Sequence, residues 1–174
     1  MSSALAPMIT ATARWLTTAY PSSNEGALSR ALVEVQATQA VTAAALLRYP
    51  TTVDADLVLI AGPGGAGRLD TLVGGVATAP EDEDQAWRTW VDEVVASWAA
   101  CLLGNPALAA TAVDALVADH RSASPDQFRR LTEPGDRELG AAALLRHPDL
   151  LAPVADLHRD RLREALDVDT SNAA

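Results

Sequence analysis

The sequence contains no lysine, one cysteine, one phenylalanine and two isoleucines among its 174 residues. Each shortage removes a class of protein. A lone thiol, Cys101, cannot build a disulfide framework or a cysteine zinc site, and it fits a cytoplasmic setting. Few isoleucines and one phenylalanine argue against a sheet core, which favours β-branched and aromatic side chains. Thirteen arginines stand against 23 acids, a formal net charge of −10. The chain therefore lacks the positive field that non-specific nucleic-acid binding needs. No segment approaches the ~20 apolar residues of a membrane span. The first residues lack the basic and long apolar regions of a signal peptide. No Gly-x-Ser-x-Gly elbow, no phosphate-binding P-loop and no His-x-x-x-His pair on one helix face occurs. The three histidines, His120, His147 and His158, read as helix-end or surface residues. The expectation is a non-enzymatic protein with no cofactor, no metal, no membrane contact and no direct nucleic-acid contact.

What is abundant is alanine and leucine, both strong helix formers. The fold class expected is all-α, an irregular bundle of seven or eight helices. One unit punctuates it. Residues 43–50 read AAALLRYP, residues 99–106 read AACLLGNP and residues 141–148 read AAALLRHP. Two leucines, two further residues and a proline look like a helix end, a stop and a new start. The spacing of the copies is unequal, so a regular solenoid is excluded. Both an internal duplication of helical hairpins and independent reuse of one stop device fit. His147-Pro148-Asp149 also matches the loop tripeptide of J-domain co-chaperones. The preceding helix lacks the basic residues of that family, and only the leucines and proline persist in the other copies.

Apolar periodicity places the remaining elements. A first helix over 4–20 carries Leu5, Met8, Ile9, Thr12, Leu16 and Ala19 on one stripe. Pro21 stops it, and Ser22 with Glu25 forms a capping box for a second helix over 25–48. Its expected stripe is Leu28, Leu32, Val35, Gln39, Ala43 and Leu46. A short helix or extended piece over 53–60 follows. Next comes Gly62-x-Gly64-x-x-Gly67, formally a dinucleotide-binding fingerprint. Such a site needs a strand before the glycines and a full helix after them. Gly74-Gly75 cuts the following segment short, so a glycine-rich loop is expected instead. The acidic run 81–84 then precedes a helix over 84–103. Trp87, Val91, Val94, Trp98 and Leu102 share its stripe, with Trp90 on the flank. The rest reads as helices from Asn105-Pro106 to about 120, from Ser124 to about 131, over 137–146 and over 151–166. Two subdomains are expected, a helical head over 1–104 and a second helical part over 105–174, with one single domain as the alternative.

The stretch from Gly64 onward resembles the end of the N-terminal domain of bacterial DnaB-type replicative helicases. The matching positions are Gly64, Gly65, Leu69, Leu72, Thr78, Ala79, Trp90, Val91 and Val94. Leu46-Leu47-x-x-Pro50 is similar to the turn closing an early helix of that domain. Leu144-Leu145-x-x-Pro148 is similar to it too, and to the related helicase-binding end of primases. Ala77 stands where the family has proline, and no counterpart of the family's ATPase domain is present. The resemblance implies a self-associating helical hairpin acting as a collar or docking surface in replication. Its interface residues would be Trp87, Trp90, Val94 and Trp98. Two other functions fit the composition: an acidic regulator that binds a basic protein surface, and a small ligand binder in which His147, His158 and Arg161 converge.

Overall fold

The computed structural model describes residues 3–24, 26–75, 83–119 and 124–172. Every regular element among them is a helix: ten α-helices, several very short, and three 3-10 turns. The helices are α1 (Ala6–Ala19), α2 (Ala27–Arg48), α3 (Thr52–Ala61), α4 (Ala66–Leu72), α5 (Glu93–Gly104), α6 (Pro106–Ala118), α7 (Arg129–Thr132), α8 (Asp136–Ala141), α9 (Pro148–Ala155) and α10 (Arg159–Asn172). The 3-10 turns are Ser3–Leu5, Glu83–Trp90 and Pro125–Phe128. Glu25 of the expected capping box, His120 and the matched positions Thr78 and Ala79 lie outside the described residues.

The stop units behave as local chemistry dictates. Proline has no N–H for an intrahelical bond and suits the first turn of a new helix. Pro106 and Pro148 open α6 and α9, and Asn105 caps α6 by accepting from the Leu108 N–H at 3.0 Å. After Pro50, Thr51 and Asp54 form a reciprocal capping box that commits 52–61 to helix.

Helices α2 and α5 pack on each other at the centre, with α1 and α9 against them. One continuous buried cluster joins residues from both the 1–104 and the 105–174 stretch. The buried face of α2 differs from the expected stripe. Leu28 is 65 % exposed and Val35 40 %, while Val33, Gln36, Ala37, Ala40, Val41 and Ala44 are buried. Side-chain size sets how closely helix axes approach. The alanines of α2 face a segment of α5 that is itself rich in alanine, so the small-residue face turns inward and two large residues stay outside.

The helix expected over 137–146 ends at Ala141, and the one expected from Ser124 divides into the Pro125–Phe128 turn and α7. Two further expected helices are broken by contacts from other elements. The tryptophan-bearing segment is a 3-10 turn followed by α5, with Val91 and Asp92 between them. Asp92 N–H donates to Thr12 Oγ1 at 3.2 Å, and Glu93 N–H donates to the Gly64 carbonyl at 3.1 Å. Those donors would otherwise run along a helix. Asp92 instead caps α5 through Val95 N–H at 3.0 Å. The last expected helix divides into α9 and α10 around 156–158. Ser97 Oγ donates to the Ala155 carbonyl at 3.1 Å and accepts from His158 N–H at 3.0 Å. Trp98 Nε1 donates to the His158 carbonyl at 3.0 Å. Side chains of α5 thus hold the chain at its bend.

Arg146, at the third stop unit, is buried. Its Nε donates to Gln36 Oε1 at 2.6 Å and Nη1 to the Leu103 carbonyl at 2.9 Å. Nη2 donates to the carbonyls of Arg130 and Leu131 at 3.0 and 3.3 Å. One guanidinium therefore ties α2 to the C-terminal ends of α5 and α7.

Candidate functional site

The four residues named as an interface do not share one environment. Trp98 is buried, and its indole N–H is used on His158. Trp87, Trp90 and Val94 are half-buried and pack on the core. Trp87 has two guanidiniums over its ring, Arg14 at 4.7 Å and Arg88 at 5.3 Å from the centroid, in cation–π geometry. Trp98 thus presents no face to a partner, because α5 is enclosed by α1, α2, α6, α9 and α10.

Three polar knots surround α5. In the first, buried Asp70 of α4 accepts from Trp15 Nε1 at 2.9 Å and pairs closely with Arg88. In the second, Glu93 pairs with His158 Nε2 at 2.8 Å and with Arg68 at 3.4 Å. The third joins Tyr49 to Asp92 through a short hydrogen bond from the phenol. Burial, then the Asp92 carboxylate, pushes the Tyr49 phenol well above its ordinary value of 10.0.

The neutral phenol is thus favoured in the fold. Its stabilisation is complete below the unfolded value and is lost as pH rises past ~10, where the unfolded tyrosine releases its proton first. Tyr49→Phe is expected to cost about 1.5–3 kcal/mol, the range for a hydrogen bond to a charged group. Urea titrations at neutral and alkaline pH should show the variant's deficit shrinking in alkali. A deficit that stays constant with pH would contradict this account.

The glycine-rich loop is a joint between helices. Helix α3 precedes it where a dinucleotide site would have a strand. Gly65 has φ of +106°, and a Cβ there would lie 2.5 Å from Glu93 Cβ. Glycine is required for backbone conformation and for the close approach to α5.

His147 and Arg161 are exposed, His158 pairs with Glu93, and none of the three lines a described cavity, so the alternative reading of a His147–His158–Arg161 pocket gains no support. Among the described residues, no group of three His, Cys, Asp or Glu side chains is arranged to hold a metal. No helix there is long and apolar enough to cross a membrane.

The feature with no internal role is the outer side of α3. Ala55 and Val58 are its buried residues, and the helix packs on the Ser3–Leu5 turn. Val53, Leu57 and Ile60 are 64 %, 56 % and 82 % exposed. Their i, i+4, i+7 spacing aligns them on one ridge, opposite the buried pair. Asp56 flanks the ridge, and Leu59, also exposed, lies further round the helix toward Ala55. The apolar run 57–60 carried the signal, but sequence alone does not say which of its residues face outward.

No family model, no curated protein and no solved structure matches the chain.

Proposed function

We propose that this protein is a non-enzymatic helical interaction module whose docking face is the outer ridge of α3. The single observation that supports it is Val53, Leu57 and Ile60, aligned and mostly exposed on a capped helix. Large apolar side chains grouped on a surface mark interaction sites, whereas scattered ones carry no such meaning. The partner we infer offers an apolar groove with a basic rim. Asp56 beside the ridge and the net charge of −10 favour such a basic rim. The helicase N-domain resemblance supplies a setting, docking in replication, that rests on the sequence alone. In this reading Trp98 belongs to the core, and α3 replaces the tryptophan stripe as the contact surface.

The test compares the full chain with its Leu57→Glu, Ile60→Glu double variant. Thermal stability should change little, since exposed substitutions shift it by about 0.5 kcal/mol or less. Partner recovered from the native host should bind the variant at least ~30-fold more weakly, the loss of one strong contact. Its binding to the wild type should also weaken with added salt. Equal binding to both chains would sink the proposal. Light scattering that shows wild-type dimers and variant monomers would identify a second copy as the occupant instead.

A further inference from the structure

A cavity of about 220 Å³ opens where the C-terminal end of α5 meets the starts of α6 and α9 and the first turns of α10. Leu108 and Leu151 form its apolar wall, and Cys101 and Gly104 line it from α5. Arg159 and Arg163, one turn apart on α10, complete the lining. Arg159 and Cys101 line the same space, and the thiol donates to the Ala155 carbonyl at 3.4 Å. Burial pushes that thiol up, so it stays neutral and does not offset the arginine charge.

The sign of the lining sets this cavity apart. The cavity beside Trp15 holds Asp70 with Arg88, the groove between α1 and α2 holds Glu34 with Arg14, and the one under α6 holds Asp114 and Glu133. Here two guanidiniums line the space and no carboxylate does. Asp156 and Asp160 contact Arg159 at 2.6 Å and Arg163 at 3.9 Å, but both aspartates are mostly exposed. The Arg159 side chain is 40 % exposed and that of Arg163 65 %, so water screens both pairs and an anion in the cavity can compete with the aspartates for either guanidinium. Asn105 and Pro148, at the starts of α6 and α9, line the same space.

We propose that this cavity binds a small oxyanion, a carboxylate or a phosphate, with Arg159 and Arg163 as its clamps. Guanidinium forks match both anions through paired N–H donors. A short apolar body attached to the anion lies on Leu108 and Leu151. The volume is below the ~300–1,000 Å³ typical of pockets for drug-sized ligands, which limits the ligand to a few heavy atoms beyond the anion. The proposal is independent of the α3 ridge.

The test is a titration of the full chain with inorganic phosphate and, separately, with butyrate at low salt, followed through backbone amide NMR signals. Saturable shifts centred on Gly104 and Asn105 are expected for at least one anion. The Arg159→Gln, Arg163→Gln double variant should lower that affinity at least tenfold. Arg161→Gln, a charge loss at an exposed neighbour on α10, should leave it within twofold. Gly104→Ala separates the two ligands. The added Cβ meets only Leu151 Cδ1, at 3.8 Å, so the fold accommodates it while the cavity narrows. Butyrate should then weaken more than phosphate. Absence of saturable shifts for both anions, or equal losses from Arg161→Gln and the double variant, would overturn the proposal.

Discussion

Arg146→Ala is expected to destabilise the protein by at least about 3 kcal/mol, because several buried acceptors lose their donor together. The reason is the number of groups left behind. Gln36 Oε1 and the carbonyls of Leu103, Arg130 and Leu131 all lose a donor. Each buried polar group left unpaired costs about 1–3 kcal/mol. Those bonds also hold a charge with no carboxylate among its hydrogen-bond partners. Helix C-termini carry partial negative charge, and Leu103 and Leu131 sit at the ends of α5 and α7. Burial lowers the Arg146 pKa to about 10, so the side chain remains charged at neutral pH. Arg146→Met should recover the packing share of the loss but not the hydrogen bonds. Arg146→Lys should not restore them either, because an ammonium cannot span four acceptors as a planar fork does. Urea unfolding of the three variants measures the difference. A loss below about 1 kcal/mol in the alanine variant would mean that water replaces the guanidinium at little cost.

Asp70→Ala should be comparably severe, about 3–5 kcal/mol, through the opposite charge. Asp70 is buried between Trp15 and Arg88 and satisfies both. Its removal orphans an indole N–H and leaves a largely buried guanidinium unpaired. Asp70→Asn should fall between, because an amide oxygen still accepts from Trp15 while the ion pair is lost. In the Asp70→Ala, Arg88→Met double variant part of the cost should return, since the stranded charge is gone. A coupling of at least ~1 kcal/mol between the two sites is expected in denaturant unfolding. Strict additivity would show that the pair is not a unit. The Trp15 indole proton signal in NMR gives a second reading, because it shifts only if the Asp70 bond is present in solution.

Both predictions concern residues that the chain's pattern did not single out. Arg48 and Arg146 occupy the same place in LLRYP and LLRHP. One is exposed and lies 5.7 Å from the Tyr49 ring centroid, and the other is buried among carbonyls. Nothing local distinguishes them, because the acceptors of Arg146 come from α2, α5 and α7. The alternative pocket of His147, His158 and Arg161 fails for a related reason. Helical phase within α10 brings Arg159 and Arg163 to the cavity and leaves Arg161 outside.

The helical class and the positions of several helix ends were determined by sequence alone. Alanine and leucine favour helix, and the prolines at 21, 50, 106 and 148 act through their missing N–H wherever they stand. Thr51, Asp54 and Asn105 bond to backbone within three residues, so their caps are local as well. Tertiary structure alone decided where continuous helices break and which faces turn inward. Asp92 leaves the helix because Thr12 takes its N–H, and the chain bends at 156–158 because Ser97 and Trp98 hold its backbone groups. The small face of α2 was chosen by the approach of α5, and the outer ridge of α3 stays bare because its packing uses Ala55 and Val58 alone. Periodicity along one strand of chain records which residues could be buried together. Which of them are buried depends on the size, donors and acceptors of neighbours tens of residues away.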